Sequence, residues 1–368
     1  MRGADTECVR HAYREADPLP GTGGFAGMLD GKLVRDVLGR YPLFHERDDI
    51  STWAREPAGL GKPVRVPAGH ARGEGQTERV WALPDPDPVD GTESAVGMLR
   101  DALDTALART GTDGCAIGFS GGLDSALLAA RLDCPLYTVG FPDSHDVDAA
   151  RSAAALLGCD LTVVELGHRT LERAVPDVAA ATGRTNAMDV GIALPLFLVA
   201  KEAAADGFDR IVVGQGADEL FGGYAKVAKA PDDPRVEAGT VRGARRELLA
   251  TVPDQLERDT LAVRAADCTP VTPLLHDRVV ATGLRLPGGL LVTSTGERKW
   301  ALRLAARQWL PDRLAFREKK AVQYGSLVAR ELDRLARQAG FKRRLDDHVT
   351  QYIESRTLDE KPHISSRK

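Results

Sequence analysis

The sequence predicts an α/β protein: a parallel sheet with helices on both faces, a small β-rich region before it and a mainly helical part after it. Three observations predict this. From Cys115 to Val213, short apolar runs alternate with stretches of helical period, as in strands joined by right-handed crossovers. Up to Asp90, short strand-like runs are punctuated by Gly and Pro. From Pro231 onward the periodicity is mainly helical.

A chain of 368 residues, 43% apolar and 28% charged, has enough core-forming side chains for two domains or one large domain with an extension. A net charge of −4 gives no reason to expect a nucleic-acid surface. The five cysteines, at 8, 115, 134, 159 and 268, contain no Cys-x-x-Cys pair, which argues against a zinc ribbon or a disulfide framework. The first residues lack a signal peptide's apolar core, and no run approaches transmembrane length. The expectation is a cytoplasmic protein without a membrane or nucleic-acid partner.

In chain order, the β-like runs of the first region are Lys32–Leu38, Tyr41–His45, Val64–Val66 and Arg79–Leu83. A helix from Thr92 to Thr110 follows, with Val96, Leu99, Leu103 and Leu107 at helical spacing. Strands are expected at Cys115–Phe119, Pro135–Phe141, Leu161–Leu166 and Arg210–Val213. The intervening helices are Ala126–Arg131, Val147–Leu157, Thr170–Ala181 and Val190–Ala205. Later helices are expected at Glu237–Thr251, Gln255–Ala266, Lys299–Trp309, Leu327–Gln338 and Asp346–Ser355, before a frayed polar tail over residues 361–368.

The chemistry is concentrated in two glycine loops. The first, Ser120, Gly121, Gly122, Leu123, Asp124 and Ser125, lies between an apolar strand and a helix. Such a turn offers unpaired N–H groups to an anion, and paired glycines admit a phosphate to the main chain. Asp124 would repel a polyphosphate unless a divalent cation lay between them, so the stretch proposes a magnesium-dependent nucleotide site. Read without a ligand, it is a glycine turn with a capping Asp. The second loop, Gly214-Gln215-Gly216-Ala217-Asp218-Glu219-Leu220-Phe221-Gly222-Gly223-Tyr224, follows the fourth strand and supplies a second carboxylate, Asp218.

The first loop resembles the pyrophosphate (PP) loop of the ATP pyrophosphatase superfamily, and in this spelling the synthetase domain of asparagine synthetases. The second resembles that family's Ser-Gly-Glu-Gly-Ala-Asp-Glu-Leu-Phe-Gly-Gly-Tyr motif. The resemblance implies a Rossmann-like, adenine nucleotide alpha hydrolase-like sheet that binds ATP and Mg2+. It implies Asp124 and Asp218 as magnesium ligands, the Ser120–Ser125 loop with Gly214 and Gly216 around the nucleotide, and Val139 in the adenine pocket. Asp189, which otherwise reads as a helix N-cap, is placed near the acceptor pocket. Arg298-Lys299-Trp300-Ala301-Leu302-Arg303 is similar to the family's Glu-Lys-x-x-Leu-Arg segment, which makes Lys299 a catalytic cation. Lys319, in a stretch similar to the family's Leu-Pro … Trp-Arg-x-Lys, is a further phosphate contact. Gln215 stands where the family carries Glu; an amide cannot take a proton from an attacking amine.

Val34–Phe44, Val66–His70 and Val80–Pro84 are similar to segments late in a class II glutaminase domain. That enzyme class uses an amino-terminal Cys, whereas this chain begins Met1-Arg2. The expected organisation is a truncated glutaminase-like region over 1–91, an asparagine synthetase-like domain over 92–345, and a C-terminal helix and tail over 346–368. The implied activity is that of an AMP-forming carbon–nitrogen ligase of the asparagine biosynthesis type. It would adenylate a small-molecule carboxylate, aspartate in the family, and pass it to ammonia or an amine from a separate nitrogen donor or glutaminase. Three other readings stay open: a lactam- or peptide amide-forming ligase of the same superfamily, an RNA-modifying pyrophosphatase of the same fold, against which the acidic balance and the lack of a Cys pair argue, and a non-catalytic ATP-binding regulator.

Overall fold

The computed structural model describes residues 1–230, 238–317, 327–343 and 347–359. The first region opens with helix α1 (Thr6–Arg14), which the sequence pattern does not announce because only Val9 and Ala12 of it are buried. Strands β1 (Ala26–Leu29), β2 (Lys32–Arg35), β3 (Phe44–Glu46), β4 (Asp49–Ala54), β5 (Pro63–Arg65), β6 (His70–Arg72) and β7 (Thr77–Arg79) follow. They form two antiparallel sheets, ordered β1-β2-β6-β7 and β4-β3-β5. The run expected to continue to Leu38 stops at Arg35, because the Asp36 carboxylate accepts from the N–H groups of Leu38 and Arg40 and turns the chain. The run expected at Arg79–Leu83 ends at Arg79, where Val80 and Trp81 both donate to Gly69 O.

After α2 (Thr92–Ala108) come β8 (Cys115–Gly118), α3 (Leu123–Arg131), β9 (Leu136–Gly140), α4 (His145–Leu157), β10 (Leu161–Glu165), α5 (His168–Thr182), α6 (Ala187–Ala205), β11 (Arg210–Val212), α7 (Ala217–Phe221), α8 (Ala225–Lys229), α9 (Val241–Arg264) and β12 (Thr269–Val271). Their sheet is parallel throughout, in the order β10-β9-β8-β11-β12. The chain leaves β8 for β9 and β10 on one side and returns to β11 on the other. The carboxyl ends of β8 and β11 therefore flank the topological switch point, where open α/β sheets bind ligands.

Two departures from the sequence pattern bear on the site. The break expected between Thr251 and Gln255 does not occur: α9 runs through Pro253, because Leu249, Val252 and Leu256 on either side of it are buried. Strand β12 was not expected at Thr269-Pro270-Val271; it is an edge strand, the position in a sheet that tolerates proline. The C-terminal part holds α10 (Asp277–Leu284), α11 (Gly288–Leu291), α12 (Trp300–Ala306), α13 (Asp312–Ala315) and helices Val328–Gln338 and His348–Asp359. The tail at 361–368 lies outside the described residues. No described helix is long and apolar enough to cross a membrane.

The first region shares its core with the α/β part, since Phe25 and Trp81 belong to the same buried cluster as Leu99 and Leu103. Buried ion pairs also cross the seam. Arg40 is 2.7 Å from Asp277, and Arg35 reaches Glu257 of α9 at 3.2 Å. Removing one member of such a pair strands the other in a dry environment, so these contacts fix the orientation of the two parts.

Candidate active site

The first glycine loop leaves β8 and enters α3. Gly121 has φ +70°, and a Cβ there would lie 2.6 Å from Ala149 O and 2.8 Å from the Ala150 Cα of α4. Only glycine lets the loop lie this close to the neighbouring helix. The two serines close the loop on itself. Ser125 Oγ donates to Gly122 O at 3.2 Å and accepts from Ser120 N at 3.3 Å, while Ser120 Oγ accepts from Gly122 N at 3.4 Å. Ser125 thus holds the loop's shape as well as facing the cavity. Leu123 is buried beneath the loop.

The second loop leaves β11 beside the first, and Gly214 lies against the side chain of Asp124. Asp218 and Asp124 are joined by the ammonium of Lys299, 2.7 Å from Asp218 Oδ1 and 2.6 Å from Asp124 Oδ2. Lys299 is buried, and it sits in the left-handed region at φ +58°, a strained conformation of the kind found at functional sites. Burial alone would lower its pKa, but the two carboxylates overcome this and hold it above the ordinary lysine value. Gly223 makes room for the triad, since a Cβ there would fall 1.8 Å from Asp218 Oδ1 and 2.5 Å from Lys299 Cε. Nearby, the Tyr224 hydroxyl donates to Glu219 at 2.6 Å, and burial raises the Glu219 carboxyl above its usual range.

Two cavities meet at this triad. The larger, about 620 Å³, is bordered by Val139, Gln215 and Gly216 and by apolar side chains of α6 and α9. The other, about 460 Å³, is lined by Gly121, Gly122, Lys299, Arg303 and Arg317. Ser120, Asp124, Asp146 and Asp218 border both. The larger chamber has apolar walls from α6 and α9, and the other carries the cations Lys299, Arg303 and Arg317 alongside Asp148; the carboxylates of Asp124, Asp146 and Asp218 lie where the two meet.

The junction suits magnesium. Asp124 Oδ1 is buried with no hydrogen-bond partner, although its other oxygen is held by Lys299. Among the described residues no cluster of three or more His, Cys, Asp or Glu could hold a metal. A pair of carboxylates completed by phosphate oxygens and water is the usual magnesium arrangement, in contrast to an all-protein cage.

Asp146, in the first turn of α4, carried no signal that set it apart in the sequence. Its side chain is nine-tenths buried, its Oδ2 has no partner, and burial pushes its pKa up to about 6 from 3.8. A buried carboxyl with a raised pKa favours the folded state below about pH 4, and that contribution is lost as pH rises through 6. Asp146→Asn is therefore expected to raise stability at pH 7–8 by at most about 3 kcal/mol, with no gain at pH 4. Urea denaturation at the two pH values checks this; equal gains at both would contradict it.

Asp189 does not cap α6. Asn186 is the N-cap, and Asp189 lies in the first turn because the helix starts at Ala187, earlier than expected. Nor does Asp189 line the larger cavity. It reaches the cavity wall through Arg258, whose NH1 lies 2.9 Å from Asp189 Oδ1. Burial alone would raise the Asp189 carboxyl, but hydrogen bonds from Asn186 and Arg258 hold it below the usual range. Arg258 also grips Asp259, at 2.7 and 3.0 Å, and the Gln215 amide donates Nε2 to the same Asp259 carboxylate. The pairing of Gln215 with a buried carboxylate 44 positions on could not be read from its motif. Lys319 lies outside the described residues. Cys8, half-buried in α1, has its thiol raised by burial and by Asp5, the reverse of an activated nucleophile.

Comparison with known proteins follows the same lines. The asparagine synthase family profile matches residues 98–268 and 232–363. The chain is 28% identical over 421 aligned positions to a putative glutamine-hydrolysing asparagine synthetase of Methanocaldococcus jannaschii, covering 94% of this chain and 77% of that one. It is 27% identical to asparagine synthetase B of Escherichia coli, covering 88% and 65%, and 26% identical to an asparagine synthetase of Brassica oleracea, covering 88% and 62%. The chain thus spans somewhat less than two thirds of the bacterial and plant relatives.

Proposed function

Because the chain belongs to the asparagine synthase family, we propose that it is an ATP-dependent, AMP-forming ligase that activates a carboxylate and passes it to ammonia or an amine. The observation that carries this reading is the meeting, at Asp124, Lys299 and Asp218, of a chamber with apolar walls and one that bears Lys299, Arg303 and Arg317. A nucleotide laid across that junction puts its base against Val139 and its β- and γ-phosphates among Lys299, Arg303 and Arg317. The α-phosphorus then lies between the chambers. The loop of Ser120, Gly121, Gly122 and Ser125 cradles the phosphates, the Ser120 and Gly122 N–H groups exchanging their long contacts to the serine hydroxyls for phosphate oxygens. Asp124 and Asp218 are the ligands proposed for magnesium, which when bound neutralises phosphate charge. Lys299 stabilises the charge that grows on the leaving pyrophosphate, and Lys319 is proposed to add a contact there.

The chemistry balances in two steps. A carboxylate oxygen attacks the α-phosphorus, the α–β bond breaks, and pyrophosphate leaves. The nitrogen nucleophile then attacks the acyl carbon, the carbon–oxygen bond to AMP breaks, and the proton lost by the nitrogen passes to solvent water. Gln215 accepts a hydrogen bond from the nucleophile through Oε1, since its Nε2 is committed to Asp259. It does not act as the base. The nitrogen is proposed to be free ammonia or an amine, and the raised Cys8 thiol agrees with a first region that does not release it from glutamine.

The test is carboxylate-dependent exchange of labelled pyrophosphate into ATP, with aspartate, the acceptor the relatives' names suggest, tried first. Exchange with at least one acid, abolished in Asp124→Ala, is the expected result. ATP binding without exchange for any carboxylate would sink the ligase reading and favour a nucleotide-binding regulator.

A further inference from the structure

The larger cavity spans the ends of neighbouring strands, since Val139 of β9, Gly118 of β8 and Val213 after β11 all border it. Val139 lies two strand spacings, about 10 Å, from the β11 side, so a base at Val139 leaves the β11 end to the acceptor. That end is bordered by Gln215, Gly223, Tyr224, Arg258, Asp259 and Arg298.

The two arginines there differ in what they hold. Arg258 is committed on every side: its Nε and NH2 grip Asp259, and its NH1 holds Asp189. Arg298 is tied at one nitrogen, NH1, which donates to Gly223 O at 2.7 Å. Among the described residues it has no carboxylate partner, and its Nε and NH2 make no hydrogen bond. Those two nitrogens form an edge of the planar fork, the edge with which Arg258 holds Asp259 and with which arginine binds a carboxylate through two parallel bonds.

The chain around Arg298 is set by the protein itself. Arg298 bridges Val292, Thr293 N donates to Glu297 O at 2.9 Å, and the Arg298 carbonyl accepts from Arg303 Nε at 2.8 Å. Anchoring NH1 on a carbonyl orients the guanidinium without neutralising it. Because Gly223 lies against Asp218 and Lys299, the free edge stands close to the junction where the reacting carboxylate is activated. Lys299, Arg303 and Arg317 line the phosphate chamber, whereas Arg298 borders the larger cavity. It is also this chain's own feature, standing where the family segment it resembles carries Glu.

Resting on the ligase reading above, we propose that Arg298 determines acceptor specificity: its Nε and NH2 bind the second carboxylate of a small dicarboxylic acid, aspartate among them, whose other carboxylate reacts at the Asp124–Asp218 junction. An acid without that second group leaves the edge to water and binds more weakly.

Pyrophosphate–ATP exchange tests this with the full chain, magnesium and pairs of acids that differ only in the second carboxylate. The pairs are aspartate and 3-aminopropionate, glutamate and 4-aminobutyrate, and succinate and propionate. The unaltered chain is expected to favour at least one diacid over its partner by about 10–100-fold in kcat/KM, the scale of hydrogen bonds between charged groups. Arg298→Met is expected to erase that preference by raising KM for the diacid, with the monoacid rate and KM for ATP unchanged. Arg298→Lys should restore part of it. A preference that survives in Arg298→Met, an equal loss for both members of a pair, or exchange only with carboxylates outside this set overturns the proposal and leaves the ligase reading standing. Exchange with no carboxylate overturns both.

Discussion

Lys299→Met is expected to lower carboxylate-dependent exchange by about 10²–10³-fold, the effect of removing one preorganised donor from a charge-stabilising site. The same substitution is expected to destabilise the protein. Lys299 is the cation shared by Asp124 and Asp218, whose side chains are 21% and 22% exposed against its own 4%. Removing it leaves two like charges facing each other with poor access to water, a change that typically costs about 3–5 kcal/mol. Magnesium then provides the diagnostic. It should raise the melting temperature of Lys299→Met more than that of the unaltered protein, because the variant's carboxylates have lost their resident cation. Equal stability of the two proteins without magnesium would show that the triad does not organise the junction.

The second large effect contrasts neighbouring glycines. Gly121→Ala puts a methyl group 2.6 Å from Ala149 O at a φ of +70°. The left-handed backbone alone costs about 1–2 kcal/mol, and the contact forces the loop away from α4. Gly122→Ala meets only Ser120 Oγ at 3.4 Å, and its φ of −80° suits any residue. Urea denaturation should find Gly121→Ala destabilised by more than 2 kcal/mol and Gly122→Ala by less than 1 kcal/mol, on the scale of ordinary core and surface substitutions. Equal losses would mean that the α4 contact does not shape the loop.

Four of the sheet's five strands were legible because each is a short apolar run closed by a turn residue, whereas β12, Thr269-Pro270-Val271, has no such run; the loops after β8 and β11 carry their glycines in the sequence. Ser120–Ser125 and Gly214–Tyr224 could therefore be placed at strand ends before any coordinates. Topology then explains why they meet, since β8 and β11 are hydrogen-bonded neighbours although 95 positions separate the paired residues Ala116 and Ile211 in the chain. What local pattern could not convey was pairing across that distance. The resemblance marks Lys299 as a catalytic cation, but only the structure shows that it stands between two aspartates at the start of α12. Asp189 reads as a cap until Arg258, on a helix that the pattern breaks at Pro253, is seen to hold it. Asp146 sits in a β-to-α turn of ordinary composition, and only its burial without a partner sets it apart. Likewise, the neutral amide of Gln215 becomes intelligible once Asp259 is found behind it, where a second carboxylate would have been repelled.

Cleavage of ATP between its α- and β-phosphates is tested most directly by phosphorus-31 magnetic resonance of the complete reaction. With magnesium, ammonium and the acid that best supports exchange, AMP and pyrophosphate should accumulate in equal amounts as ATP is consumed, and neither should form in Asp124→Ala. Accumulation of ADP and inorganic phosphate instead would contradict the account.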